Sequence, residues 1–148
     1  MKRYIIIIII SIFIFSCKES FLELTPLSSI NAGSFYKTQT DIENAVNSAY
    51  SGLQLRGNYG LNIASIPEMR SDNASLSWIG GNKTVEDIIL FNIQTDNGLV
   101  YEIWNDLYLA VLRCNVVLDN VDEVEIDQSL KDRFTGEVKF LRALNYFN

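Results

Sequence analysis

Apolar residues recur at three- and four-residue intervals through nearly all of the last fifty positions of the chain, and that period belongs to packed helices. One helix is predicted from Asn97 to about Val121. Its buried stripe would be Val100, Ile103, Trp104, Leu107, Tyr108, Val111, Leu112 and Leu118, so Trp104, Leu107 and Tyr108 read as core and not as stacking platforms for sugars. The acidic turn "DNVDEVEID" then leads into a further helix whose cap is Asp127. On it Leu130, Phe134, Val138, Leu141 and Asn145 line one face, while Phe140, Ala143 and Phe147 line another. A helix that is apolar on two sides expects neighbours on both. Since the pattern runs to Asn148 with no glycine, proline or polar run to close it, the expectation is that this helix is cut off and that a partner element is missing.

Toward the N-terminus the same period appears once more. Thr40 followed by Glu43 has the spacing of a capping box, and Ile42, Ala45, Val46, Ala49, Tyr50 and Leu53 follow at helical intervals. This predicts a helix from Asp41 to about Leu55, closed by Gly57. From Asn58 to Gly98 the chain reads as loop-rich, with Pro67, Gly80 and Gly81. The apolar run Ile88 to Ile93 within it fits a short strand or a helical turn. The fold class expected is all-α with long loops.

The first 37 residues do not belong to that pattern. Lys2 and Arg3 precede a run from Tyr4 to Phe15 that is apolar apart from Ser11. A membrane-spanning helix needs roughly 20 apolar residues, whereas the hydrophobic region of a secretory signal needs about 7–15. Ser16 is followed directly by Cys17, which is how a bacterial lipoprotein signal ends: the peptidase cuts before a cysteine whose thiol carries diacylglycerol. Residues 1–16 are therefore expected to be a signal peptide, Cys17 the lipidated anchor, and residues 17–37 an extended tether in which Pro26 turns Thr25 away from helix. Ile14 and Phe15 depart from the usual residues before such a cut, which leaves a plain signal peptide or a short uncleaved anchor as alternatives. Acyl chains, at about 0.8 kcal/mol per buried CH2, hold a protein on a membrane without a spanning helix.

Loss of the signal would remove Lys2 and Arg3, so that 12 basic residues become 10 against 18 acidic ones and the net charge falls from −6 to −8. Such a surface repels nucleic acid. The chain has no histidine, which excludes His-based metal sites, Ser-His triads and Cys-His dyads. With Cys17 acylated, Cys114 has no internal partner and is expected to be a buried free thiol. No cofactor is expected beyond the covalent lipid.

Several stretches carry a family resemblance. The segments "FLELTPLSSINAGSFYKTQTDIENAVNSAYSGL" (21–53), "WNDLYLAVLRCNVVLDNV" (104–121) and "EVKFLRALNYFN" (137–148) resemble, in order and spacing, the opening of the SusD/RagB family of outer-membrane nutrient-uptake lipoproteins. The most specific parts are Leu24-Thr25-Pro26, Ala49-Tyr50-x-Gly52-Leu53, Trp104-x3-Tyr108-x6-Asn115 and Phe140-Leu141-Arg142-Ala143-x2-Tyr146-Phe147. The resemblance implies tetratricopeptide-like helical pairs in a surface lipoprotein that caps a TonB-dependent barrel of the SusC type and delivers glycans or peptides to it. Lys18-Glu19 is similar to the charged signals that route such lipoproteins to the cell surface. Family members run several times longer, and most of their helical pairs and ligand loops would lie beyond Asn148.

The candidate ligand contacts sit in "RSDNASLSWIGG" (70–81). Asp72 and Asn73 can hydrogen-bond a polyol bidentately, and Trp78 offers a flat apolar face to a pyranose, so Arg70, Asp72, Asn73 and Trp78 are the expected binding residues. The plainer reading is that Asp and Asn in loops satisfy their own backbone. Asn73-Ala74-Ser75 and Asn82-Lys83-Thr84 match glycosylation sequons, which a bacterial lipoprotein signal makes coincidental. Glu123, Glu125 and Asp127 alternate like a calcium loop, but Gln128 stands where the sharp turn needs glycine. Glu86-Asp87 sets no spacing across a glycosidic bond and reads as a solvated acidic turn. No catalytic constellation is found, so the chain is expected not to be an enzyme. A small helical lipoprotein acting as a protein-interaction module and a surface glycosidase are the alternatives.

Overall fold

The computed structural model describes residues 35–71, 73 and 80–148. The signal, Cys17, Lys18-Glu19, Leu24-Thr25-Pro26 and all but the last three residues of the tether lie outside them. The described residues form five α-helices with short 3-10 and π-type turns and no strand, so the all-α expectation holds.

Helix α1, Gln39–Ser51, begins two residues before the predicted start. The capping box is Thr38 with Asp41, not Thr40 with Glu43: the Asp41 amide donates to Thr38 Oγ1 at 3.2 Å, and the Thr38 amide donates to the Asp41 carboxylate at 2.9 Å. That carboxylate also accepts from Thr38 Oγ1 and the Lys37 amide. The Thr38 hydroxyl and then its amide hold the Asp41 carboxyl below its ordinary value.

The α1 helix also ends earlier than Leu55, and the reason lies elsewhere in the chain. A 3-10 turn at Gly52–Gln54 and a π-type turn at Arg56–Gly60 carry the backbone hard against the long helix of the fold. A Cβ at Gly52 would come to 2.7 Å from the Ala110 Cβ, and one at Gly57 would strike the Glu102 carbonyl. The glycines are there because backbone meets helix. The Gly57 amide donates to Asp106 Oδ2 at 2.7 Å, and Asn58 is fully buried.

The region 58–98 contains two helices that the sequence pattern does not show. Helix α2, Asn62–Met69, keeps Pro67 inside it. Helix α3, Lys83–Ile89, is capped by Asn82, whose side chain accepts from the Thr84 and Val85 amides. The apolar run Ile88 to Ile93 is thus the end of a helix and a turn, not a strand. Ile88 is buried, while Phe91 turns with φ of 57°, an unusual conformation for a bulky residue.

The two long helices follow prediction closely. Helix α4, Gly98–Asn120, is capped by Asn97, which accepts from the Leu99 and Val100 amides and donates its own amide to the Thr84 carbonyl at 3.0 Å. Helix α5, Gln128–Phe147, is capped by Asp127 through the Ser129 amide at 2.8 Å. They run antiparallel: Arg142, late in α5, donates to Asn115 Oδ1 at 2.9 Å, and Tyr146, later still, meets the ring of the earlier Tyr108. The core lies where α1 covers this pair. Ile42, Val46 and Ala49 of α1 pack with Cys114 and Val117 of α4 and with Phe134, Val138 and Leu141 of α5. Cys114 is buried and free, and burial pushes its thiol pKa up.

Candidate functional site

The closed core occupies one end of α4, and at the other end the chain leaves an open groove. Its volume is about 340 Å³, bounded by α2, the end of α3, the first half of α4 and the C-terminus of α5. Aliphatic side chains from Ile66, Ile88, Ile103 and Leu107 line it, together with the rings of Trp104, Tyr108 and Tyr146 and with Asn148. Trp104 is 63 % exposed, Tyr108 46 % and Tyr146 61 %. The expectation that Trp104 and Tyr108 are core is therefore corrected for the described residues, and Val100 and Leu112 of the same stripe are exposed as well. The line that α4 does bury is rotated toward α1 and α5 and runs through Leu107, Ala110, Val111, Cys114 and Val117. Helical spacing fixes which residues share a face; which face finds a partner depends on the rest of the fold.

Of the predicted ligand residues, Arg70 borders this groove. Arg70 caps α2, its amide donating to the Ile66 and Pro67 carbonyls at 3.1 and 3.2 Å. Its guanidinium lies 4.3 Å over the ring of Phe91, a cation–π contact, and the side chain borders the groove. Asn73 lies beyond it, exposed, with its amide nitrogen donating to the Glu68 carboxylate at 3.1 Å and its backbone amide to Ser71 Oγ at 3.2 Å. Asp72 and Trp78 lie outside the described residues. Phe91 is absent from the expected set, and only contact with Arg70 brings it in.

A buried polar link joins the groove to the π-type turn. Asn58 Nδ2 donates to Asn145 Oδ1 at 2.7 Å and to the Gly52 carbonyl at 3.2 Å, while Asn145 Nδ2 donates to the Leu141 carbonyl at 2.8 Å. Asn58 Oδ1 accepts from the Tyr59 amide, so both buried amides are engaged at oxygen and nitrogen. Alongside, Asn62 Nδ2 donates to Glu102 Oε2 at 2.8 Å, and Arg56 lies 3.6 Å from the same carboxylate. These bonds fix where α2 leaves the core and so where Arg70 stands.

Of the remaining acidic candidates, Glu86, Asp87 and Asp127 are engaged within the fold, while Glu123 and Glu125 are exposed. The Gly80 amide donates to Glu86, and Lys83 donates to Asp87 at 2.7 Å. Asp127 holds the start of α5. Ser129, through its hydroxyl and then its amide, keeps the Asp127 carboxyl below its ordinary value. Among the described residues no group of His, Cys, Asp and Glu is placed to hold a metal ion, and no helix is long and apolar enough to cross a membrane.

Residues 20–148 match the SusD-like family described as "Starch-binding associating with outer membrane". The chain is 33 % identical over 143 residues to SusD-like protein P25 of Formosa agariphila, an alignment covering 90 % of the chain and 27 % of that relative. It is 28 % identical over 145 residues to SusD-like protein P38 of the same organism, covering 96 % and 27 %, and 24 % identical over 149 residues to its SusD-like protein P2, covering 100 % and 29 %. The chain thus spans between a quarter and a third of the length of these curated relatives. No solved structure matches.

Proposed function

Because the chain belongs to the SusD-like family, described as starch-binding and associating with the outer membrane, we propose that it is the N-terminal portion of a noncatalytic surface lipoprotein. That protein binds glycans, or other oligomeric nutrients, and delivers them to a TonB-dependent SusC-like transporter in the outer membrane. The observation that carries this reading is the family match across residues 20–148. The geometry supports it in a particular way: the motifs meet one another as scaffold. Asn115 of the α4 motif accepts from Arg142 of the α5 motif, and Tyr108 of the first meets Tyr146 of the second. Residues that only hold a helical pair together leave recognition to the loops that the pair presents.

On this reading the loop 70–81 carries the ligand contacts, with Arg70, Asp72, Asn73 and Trp78 as the binding residues. Arg70 is already fixed by Phe91 and by its place at the end of α2, so it would meet a ligand with little further ordering. Titration of the full-length gene product with maltoheptaose, a starch oligosaccharide, tests the family's ligand class. Trp78→Ala is expected to lower that affinity about tenfold, in line with the loss of one stacking aromatic; unchanged affinity in a folded variant removes the loop from the site. The anchor is tested separately. A clickable fatty acid is expected to label the protein in cells and to be lost in Cys17→Ala, and label surviving that substitution rejects the lipid on Cys17. The transporter is tested by gentle detergent extraction, in which a large outer-membrane barrel is expected to co-purify.

A further inference from the structure

The end of α3 carries a side chain that its backbone does not favour. The Asn92 amide donates to the Asp87 carbonyl at 2.8 Å and the Phe91 amide to the Ile88 carbonyl at 3.2 Å, the pair of bonds that closes a helix through a left-handed residue just past its cap. Glycine is the usual occupant of that place, because it has no Cβ to clash. Here the cap is Leu90 and the left-handed residue is Phe91, with φ of 57°. The turn gains nothing from a bulky side chain, and the core gains little, since Phe91 is 64 % exposed. Backbone held in so disfavoured a conformation points to a side chain needed in one place.

What the ring meets is Arg70. The guanidinium carbon lies 4.3 Å from the ring centroid, and Arg70 borders the groove while Phe91 does not. An aromatic face attracts the cation but supplies no oxygen or nitrogen to take up its N–H donors. Among the described residues, no carboxylate lies within ion-pair distance of Arg70 either. A guanidinium held in this way keeps its planar fork of donors for a ligand. We propose that Phe91 is a positioning residue for Arg70: it takes the glycine place at the end of α3 so that its ring holds the fork at the border of the groove, ready for paired hydroxyls of a glycan. Phe91 acts through Arg70 and does not itself touch the ligand. The inference rests on the reading of Arg70 as a ligand contact and adds the residue that orients it.

Variants of the full-length gene product test this by titration with maltoheptaose and by thermal melting. Phe91→Gly relieves the backbone and removes the ring, so Tm is expected to hold or rise while affinity falls about fivefold, the size of one side chain that must be ordered on binding. Phe91→Tyr keeps the ring and is expected to stay within about twofold of the unaltered affinity. In an Arg70→Ala background, Phe91→Gly is expected to cost no further affinity. A fall in Tm for Phe91→Gly would make the ring part of the packing, and affinity unchanged by Phe91→Gly would leave it no role in binding; either overturns the proposal. So would a loss that persists without Arg70, because Phe91 would then act by itself. Phenylglyoxal labelling of Arg70, read by mass spectrometry, needs no ligand. The reaction is expected to be about threefold faster in Phe91→Gly, as the loss of one exposed cation–π contact allows. An unaltered protein that binds no maltoheptaose would reject the glycan reading, and the labelling would then decide the positioning alone: faster reaction keeps Phe91 as the residue that orients Arg70, and an equal rate overturns it.

Discussion

The two ends of α4 carry the same kind of sequence and have opposite fates. Toward its C-terminus, Cys114 and Val117 are completely buried between α1 and α5. Toward its N-terminus, Val100, Trp104 and Tyr108 repeat at the same helical interval and stand open to solvent. Periodicity is a property of the helix, but burial is a property of the neighbours. Where α1 and α5 both cover α4, the stripe is core; where only the last turn of α5 reaches it, it becomes the wall of a groove.

The difference is sharpest in what each end loses on truncation. Leu141 is 1 % exposed among α1 and α4 side chains, so Leu141→Ala removes buried methyl groups and leaves a cavity. A loss of about 2–5 kcal/mol is expected, read as a shift of the urea midpoint at constant slope. A loss below about 1 kcal/mol would mean that the closed end repacks freely and is no tighter than the groove.

Between the two ends lies the Asn58–Asn145 bond. Asn145→Ala takes away the acceptor of Asn58 Nδ2 in a buried position, and about 1–3 kcal/mol is expected to go with it. A double-mutant cycle with Asn58→Ala checks the cause, since the double variant should lose clearly less than the two single losses combined. Additive losses would show that the two amides act separately and that the turn at Arg56–Gly60 is not held to α5 through them.

The caps at the closed end give a smaller effect and a pH signature. Thr38→Ala is expected to cost about 1 kcal/mol. Asp41 and Asp127 both have carboxyls lowered from the ordinary 3.8. A group whose folded-state pKa is depressed favours the folded state once it is ionised. Its contribution is therefore complete above 3.8, and it is lost as pH falls below that value through the lowered one. Helical circular dichroism followed downward from neutral pH is expected to show stability falling in this window. Removal of Thr38 should flatten the part due to Asp41; an unchanged profile in Thr38→Ala would separate the box from the titration.

What the sequence discloses divides along the same line. Helices α4 and α5 and the Asp127 cap are legible because period and cap are local. The start of α1 is misplaced by two residues because Thr38-x-x-Asp41 and Thr40-x-x-Glu43 overlap, and only the first makes the reciprocal bonds. The turn after α1 is not legible at all. Its cause is a contact between Gly57 and Asp106, 49 residues apart. Pro67 and Phe91 mislead for the same kind of reason: Pro67 stays within α2, and the apolar run around Phe91 is a helix end with a left-handed residue. Sequence reasoning singles out Arg70, which borders the groove, but it misses Phe91, which is visible only as a ring under the guanidinium.

The smallest predicted effect is the most informative about that division. In the 148-residue chain, Trp104→Ala is expected to change stability by no more than about 0.5 kcal/mol, as for a surface substitution, because the ring is mostly in water and its chief contact is the neighbouring Tyr108. By sequence alone Trp104 is as apolar as any residue on α4, and a large aromatic removed from a formed core costs about 3–5 kcal/mol. The two expectations differ several-fold, so one urea titration separates them. A small loss makes the open end of α4 a surface and not core, and a large one would mean that Trp104 already contributes to the core that α1 and α5 close.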